Sequence, residues 1–187
     1  MKIRLAVPKI QSDSIVDGEG IRSVIWTQGC PHKCPGCHNP TTHCVNGGVE
    51  LDVEEVKLMI DSLIGQDGVT FSGGDPMIQP AACAELARYC KRRGLNVWCY
   101  TGYTYEQIIT LSAKNSSILD FLNSIDVLVD GKFILAEKSY DVVFRGSKNQ
   151  RLIDVKKSLR TGNIKIITKY DEYMENSMGR KNQYVFV

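Results

Sequence analysis

Residues 69–100 read V-T-F-S-G-G-D-P-M-I-Q-P-A-A-C-A-E-L-A-R-Y-C-K-R-R-G-L-N-V-W-C-Y, and this segment sets the architecture. Residues 69–71 are β-branched and aromatic, which predicts a buried strand. Pro80 starts a predicted helix that reaches about Arg93, with Gly94 placed to end it. Asn96–Tyr100 predicts the next strand. Strand, helix and strand in this order form a crossover unit, the element from which parallel sheets are built.

The flanking sequence repeats the pattern. Arg22–Thr27 (R-S-V-I-W-T) predicts a buried strand, and the cysteine-rich stretch follows it directly. Asp52 and Glu55 form a capping box before a helix at 53–64, where Val53, Val56, Ile60 and Ile64 follow helical spacing. Helices at about 105–111 and 118–123 lead to a fourth strand at 126–129. The expectation is an α/β fold with a parallel sheet and helical crossovers, in a single domain over residues 1–187. Each unusual polar or glycine-rich stretch then follows the C-terminal end of a strand, so these stretches converge on one mouth. Beyond about residue 140 the pattern weakens. Residues 164–168 and 184–187 are candidates for further short strands.

Composition narrows the classes. Hydrophobic residues make up 43% of 187, enough for a compact core. Lysine and arginine (23) against aspartate and glutamate (21) leave +2, which makes no electrostatic case for nucleic acid or an anionic membrane. Lys91-Arg92-Arg93 reads as a solvated helix end. The beginning, M-K-I-R-L-A-V-P-K-I, lacks a secretory pattern, and no stretch is apolar enough for a membrane span. Seven cysteines without an export signal are expected reduced or metal-bound, in the cytoplasm.

Cys30, Cys34 and Cys37 lie in C-P-H-K-C-P-G-C-H-N. Three thiolates this close can wrap one corner of an iron–sulfur cube, leaving one iron free for a small molecule. Soft sulfur ligands also suit zinc, and Cys44, His32, His38 or His43 could complete a zinc knot. Cys83, Cys90 and Cys99 fall in predicted helix and strand and read as core residues. Ser72-Gly73-Gly74-Asp75 is a candidate for an amino acid's polar end: glycines let backbone approach a ligand, and a carboxylate can receive an ammonium. A tight turn accounts for the same residues. Asp17-Gly18-Glu19-Gly20-Ile21-Arg22 suggests a flexible loop near the mouth or a turn into the strand. Asp130 and Lys132, two apart at a strand end, are expected to point the same way, into the site or as a surface ion pair. His38 could meet a ligand through backbone or ring.

C-x-x-x-C-x-x-C after an apolar strand, with S-G-G-D-P further on, resembles the radical S-adenosylmethionine enzymes. D-G-E-G-I-R, T-Q-G-C-P-H-K-C-P-G-C-H-N-P, V-W-C-Y-T-G-Y, I-D-V-L-V-D-G-K-F and F-R-G-S-K-N-Q-R occur in that order. Together they resemble the family that activates anaerobic (class III) ribonucleoside-triphosphate reductase. The likeness covers roughly residues 10–160, and 161–187 stay unassigned. Glu19 stands where the family commonly has proline, and His38 where tyrosine is common.

The resemblance implies a partial, incomplete TIM-like barrel. It implies a [4Fe-4S] cluster on Cys30, Cys34 and Cys37, with S-adenosylmethionine chelating the open iron. Ser72, Gly73, Gly74 and Asp75 would meet the amino group, and Gly36, Cys37 and His38 the adenosine side. Thr101 would stand beside the cofactor, and Asp130 and Lys132 would orient its carboxylate or ribose. No catalytic side chain is expected beyond the cluster. The 5′-deoxyadenosyl radical would take a hydrogen atom from a glycine of the reductase, with flavodoxin or ferredoxin as electron donor. Asp17, Arg22, Arg145 and Asn149 are the partner-facing candidates. Activation of another glycyl-radical enzyme, a small-molecule radical reaction, and a zinc or iron–sulfur interaction module without turnover are the alternatives.

Overall fold

The computed structural model describes residues 1–171. Seven strands form one sheet: β1 (Lys2–Ser14), β2 (Arg22–Thr27), β3 (Val49–Asp52), β4 (Gly68–Gly73), β5 (Asn96–Tyr100), β6 (Val127–Asp130) and β7 (Arg151–Asp154). Helices α1 (Val53–Asp61), α2 (Pro80–Arg92), α3 (Tyr105–Ser112) and α4 (Ser116–Asn123) lie between strands, and α5 (Val155–Thr161) follows β7. The spatial order is β3-β1-β2-β4-β5-β6-β7. The central strands β2, β4, β5 and β6 are parallel, whereas β1 and β7 flank them antiparallel. The mixed α/β architecture and mostly parallel sheet agree with the sequence reading.

The parallel strands advance in one direction through the sheet. Crossovers of constant right hand then place their helices on one face. Packing bears this out: α1, α2, α3 and α4 share one core with the strand residues Ile25, Val69, Phe71, Val97, Cys99 and Leu128. Phe71 meets Phe121 of α4 edge-on at 5.3 Å, and truncating a buried phenylalanine of this kind costs about 3–5 kcal/mol. The alternate strand residues turn to the other face. There Trp98, Val127, Val129 and Leu152 form a smaller cluster beneath Phe144 and Tyr170. At the strand ends of this face Trp26 and Tyr100 line a cavity.

Local chemistry sets the helix ends. The Asp52 N–H donates to the Glu55 carboxylate at 2.7 Å, completing the expected capping box of α1. That helix stops at Asp61, short of 64, because Ile64 is 88% exposed and has no core to join. Pro80 starts α2, and Gly94 (φ +79°) follows its end. The candidate strand at 164–168 is reduced to one bridge between Ile153 and Ile166. The candidate at 184–187 lies outside the described residues. Strands β1, β3 and β7 and helix α5 enter from the structure alone.

Candidate functional site

The site begins with backbone register. Trp26 is level with Ser72, and Thr27 with Gly73, so the turns after β2 and β4 leave the sheet side by side. They are zipped together: Gly74 N–H donates to Thr27 O and Asp75 N–H to Gly29 O, each at 2.7 Å. A Cβ on Gly74 would lie 2.2 Å from Gly29 O, and one on Gly73 (φ +101°) 2.6 Å from Thr27 O. The two glycines are therefore required by contact between two stretches of protein backbone. This requirement adds to the one expected from the sequence, since both glycines also line the cavity.

The three cysteines follow on this brace. Cys30 N–H donates to His43 O, Cys37 N–H to Cys34 O, and Asn39 N–H points at Cys37 Sγ at 3.4 Å. Lys33 (φ +47°) and Gly36 (φ +73°) let the chain wrap tightly. All three thiols are free, partly buried, and line one cavity of about 280 Å³. A close set of possible ligand atoms is Cys30 Sγ, a His32 ring nitrogen and an Asp75 oxygen, within 4.8 Å of one another. Tetrahedral zinc takes four protein ligands in a closed structural site. An iron–sulfur cube takes each thiolate on a different iron, and three thiols on one cavity wall suit it. Cys44 is exposed and off the cavity wall, so it does not complete a four-sulfur cage there. Burial pushes the Cys30 thiol upward, opposed by hydrogen bonds from the His32 and Lys33 backbone. An iron centre would supply the charge that favours its thiolate.

Ser72, Gly73, Gly74, Thr101, His38 and Asp17 also line the cavity. His38 is exposed at the rim and rests against Phe133, with ring centres 5.0 Å apart. Gly36 sits outside the wall, beside Leu135. Other candidates are elsewhere. Asp75 is fully buried and off the wall; its carboxylate accepts from Met77 N–H, Gly102 N–H, Thr101 Oγ1 and His32 Nε2. Neither Asp130 nor Lys132 lines this cavity; both border a neighbouring depression with Asn149. There Asp130 is buried, accepting from Arg151 Nε (2.9 Å) and Tyr105 N–H (2.7 Å), and Lys132 is exposed.

Two partner-facing expectations are also corrected. Arg22 is 1% exposed; it donates to Thr70 Oγ1 and to the carbonyls of Glu19, Val69 and Asn96, with its guanidinium over the Trp98 ring. It braces the interior and offers nothing to a partner. Arg145 is ion-paired to Asp171, with its side chain 8% exposed. Asn149 is half-buried and donates to Lys132 O at 2.8 Å.

Trp26, which the sequence reading did not place at the site, stands on its wall with His43, named there only as a possible zinc ligand. Trp26 Nε1 and His43 Nε2 are buried polar atoms without a protein partner, and both residues line the cavity. The signal for Trp26 was strand alternation: Ile25 enters the helix-side core, so its neighbour faces the other way. A buried polar atom without a partner is costly, and both rings border the space that a ligand would fill. Three thiols, the Trp26 and His43 rings and a half-buried glycine backbone on one wall can hold an iron–sulfur cluster and a polar small molecule side by side.

Comparison with known proteins agrees with this chemistry. A family described as a 4Fe-4S single cluster domain matches residues 16–153. The anaerobic ribonucleoside-triphosphate reductase-activating protein of Escherichia coli (strain K12) is 34% identical over 145 residues, covering 73% of this chain and 90% of that protein. The Haemophilus influenzae protein of the same name is 34% identical over 145 residues, covering 73% and 89%. The pyruvate formate-lyase-activating enzyme of Clostridium pasteurianum is 40% identical over 114 residues, covering 55% of this chain and 47% of that enzyme.

Proposed function

The chain belongs to the anaerobic ribonucleoside-triphosphate reductase-activating proteins, and we propose that it installs a glycyl radical on that reductase, using S-adenosylmethionine. The observation that carries this reading is the cavity wall. Cys30, Cys34 and Cys37 stand there together as free, partly buried thiols, beside the Trp26 and His43 rings, whose buried nitrogens have no protein partner. A reduced [4Fe-4S] cluster supplies, when bound, the electron that splits the sulfonium into methionine and a 5′-deoxyadenosyl radical.

The protein's own part is to hold, orient and keep dry. Cys30, Cys34 and Cys37 would anchor the cluster, and no fourth cysteine lies on the wall. Ser72, Gly73 and Gly74 would offer backbone to the methionine end, and the Gly36–Cys37–His38 segment would border the adenosine end. Trp26 Nε1–H would donate to a ligand acceptor, with His43 on the same wall. Tyr100, Phe133 and Trp26 give the wall apolar surface that excludes water from a reactive radical.

The remaining parts of the reading follow the same line. Crossover helices on one face and parallel strands that run β2-β4-β5-β6 without reversal support a sheet curved as part of a barrel, its inner face holding the cavity. An incomplete barrel leaves room for the reductase's glycine-bearing loop at the rim formed by His38 and Phe133. A flavodoxin or ferredoxin in an anoxic cytoplasm would provide the electron. Among the described residues no helix is long and apolar enough to cross a membrane, and the near-neutral charge gives nucleic acid no footing. The likeness to a pyruvate formate-lyase-activating enzyme favours one second reading, activation of a different glycyl-radical enzyme. Anaerobic mixing with each target under reducing conditions separates the two. A glycyl signal in electron paramagnetic resonance on the ribonucleotide reductase supports the proposal, and a signal on pyruvate formate-lyase alone refutes it.

A further inference from the structure

We propose that His32 and Asp75 are positioning residues that latch the cluster loop to the sheet, and that Asp75 anchors the site from beneath and does not receive the substrate's ammonium group. The inference rests on the reading that Cys30, Cys34 and Cys37 hold a cluster.

His32 stands between two of the cysteines in the chain. Its Nε2–H donates to Asp75 Oδ2 at 2.7 Å, and the side chains are 7% and 1% exposed. The rest of that carboxylate is engaged from within the protein. Oδ1 accepts from Met77 N–H (3.0 Å) and Oδ2 from Gly102 N–H (3.0 Å), while Thr101 Oγ1 lies 2.9 Å from both. A carboxylate has about four lone-pair positions, and these partners fill them. An ammonium arriving from the cavity would meet an acceptor that is saturated and absent from the wall.

The same contacts show what the carboxylate does. The turns after β2, β4 and β5 meet at it, contributing His32, Asp75 itself, and Thr101 with Gly102. The His32 ring is seated edge-on against Tyr103, with centroids 4.5 Å apart. It lies so close to Gly102 that a Cβ there would come within 2.3 Å of His32 Cδ2. Glycine at 102 is therefore the cradle for the histidine. Cys30 Sγ, a His32 ring nitrogen and an Asp75 oxygen lie within 4.8 Å of one another, so the latch borders the first cluster sulfur. The segment from Cys30 to Cys34 has no regular structure of its own. Fixing its middle residue fixes the separation of its two sulfurs, and groups that orient ligands in this way govern how tightly a metal centre is held.

The test uses the full chain, reconstituted anaerobically with iron and sulfide. It follows cluster loss to an iron chelator by absorbance, the cluster's midpoint potential, and S-adenosylmethionine binding by equilibrium dialysis. H32L and G102A should release the cluster about 10- to 100-fold faster than the parent and move the potential. H32Q, which keeps an N–H for Asp75, should restore most of the retention. D75N should match H32L, and the double variant H32L/D75N should lose the cluster no faster than either alone, because both break one latch. Should D75N fail to fold, H32L, G102A and H32Q still decide the matter. An H32L cluster held as firmly as the parent's overturns the proposal. So does a D75N protein that keeps its cluster but binds S-adenosylmethionine far more weakly, since that makes the carboxylate an ammonium ligand. Stoichiometric zinc in the parent that disappears in H32L would replace the latch with a Cys30–His32–Asp75 metal site. A parent chain that takes up no iron removes the cluster reading itself, a result distinct from all of these.

Discussion

Replacing Gly74 by alanine tests the brace on which the site is built. The new methyl carbon would stand 2.2 Å from Gly29 O and 2.8 Å from Gly29 C, atoms of a neighbouring backbone that cannot swing aside as a side chain can. The two turns must separate, and the bonds Gly74 N–H to Thr27 O and Asp75 N–H to Gly29 O stretch or break. Overpacking costs about 1–3 kcal/mol, and each backbone hydrogen bond about 1 kcal/mol. The sum is about 3–5 kcal/mol, which in a chain of this size lowers Tm by roughly 6–20 °C. Gly94→Ala is the control: φ is +79° but nothing lies within 4 Å, so only a backbone penalty of about 1 kcal/mol applies. The assay is thermal unfolding of the metal-free chain by circular dichroism, with iron per chain measured after anaerobic reconstitution. G74A should melt well below G94A and load less iron, because Gly29 directly precedes Cys30. A G74A protein that melts with the parent and loads its full iron would refute the claim that these glycines serve backbone contact.

Three further outcomes follow from single contacts. Trp26→Phe removes an N–H that has no protein acceptor; Tm should hold, while S-adenosylmethionine binding weakens by roughly fivefold, one hydrogen bond of about 1 kcal/mol, in equilibrium dialysis. Cys37→Ser should load much less iron than the parent by colorimetric assay, whereas Cys44→Ser, at an exposed thiol off the wall, should load as the parent does. Hydrogen bonds from Arg151 hold the Glu106 carboxyl down at about 2, against an ordinary 4.5. Its folded value is depressed, so its contribution is complete above pH 4.5 and fades as pH falls towards about 2. The site is largely solvated, so Glu106→Gln should lose less than about 1 kcal/mol at neutral pH, and urea titrations at descending pH should show that gap closing.

The crossover core was legible because buried parallel strands carry concentrated apolar sequence. Arg22–Thr27 and Asn96–Tyr100 are bounded in the structure as the residues predict. The flanking elements carry weaker marks. Pro8 interrupts β1, whose burial alternates irregularly across two register shifts. The β7 strand has only Leu152 and Ile153 to bury, and its place comes from antiparallel pairing with β6, which local sequence does not encode. At the site, the spacing of Cys30, Cys34 and Cys37 picked out three residues that share one wall, because chelation is a local property. The surroundings of Asp75, Asp130 and Arg22 were not legible, because a charged residue beside a glycine looks the same whether it faces a ligand or an interior partner. His32 Nε2, Arg151 and the carbonyls around Arg22 are those partners, and they come from distant parts of the chain.

The central claim, three thiolates holding a cluster that cleaves S-adenosylmethionine, is met most directly by quantifying 5′-deoxyadenosine. The iron-loaded chain is incubated with S-adenosylmethionine and dithionite under strict anoxia, and the products are separated by chromatography. The account predicts 5′-deoxyadenosine and methionine in equal amounts, with both lost in Cys34→Ser. A fully iron-loaded, reduced protein that leaves S-adenosylmethionine intact would contradict it.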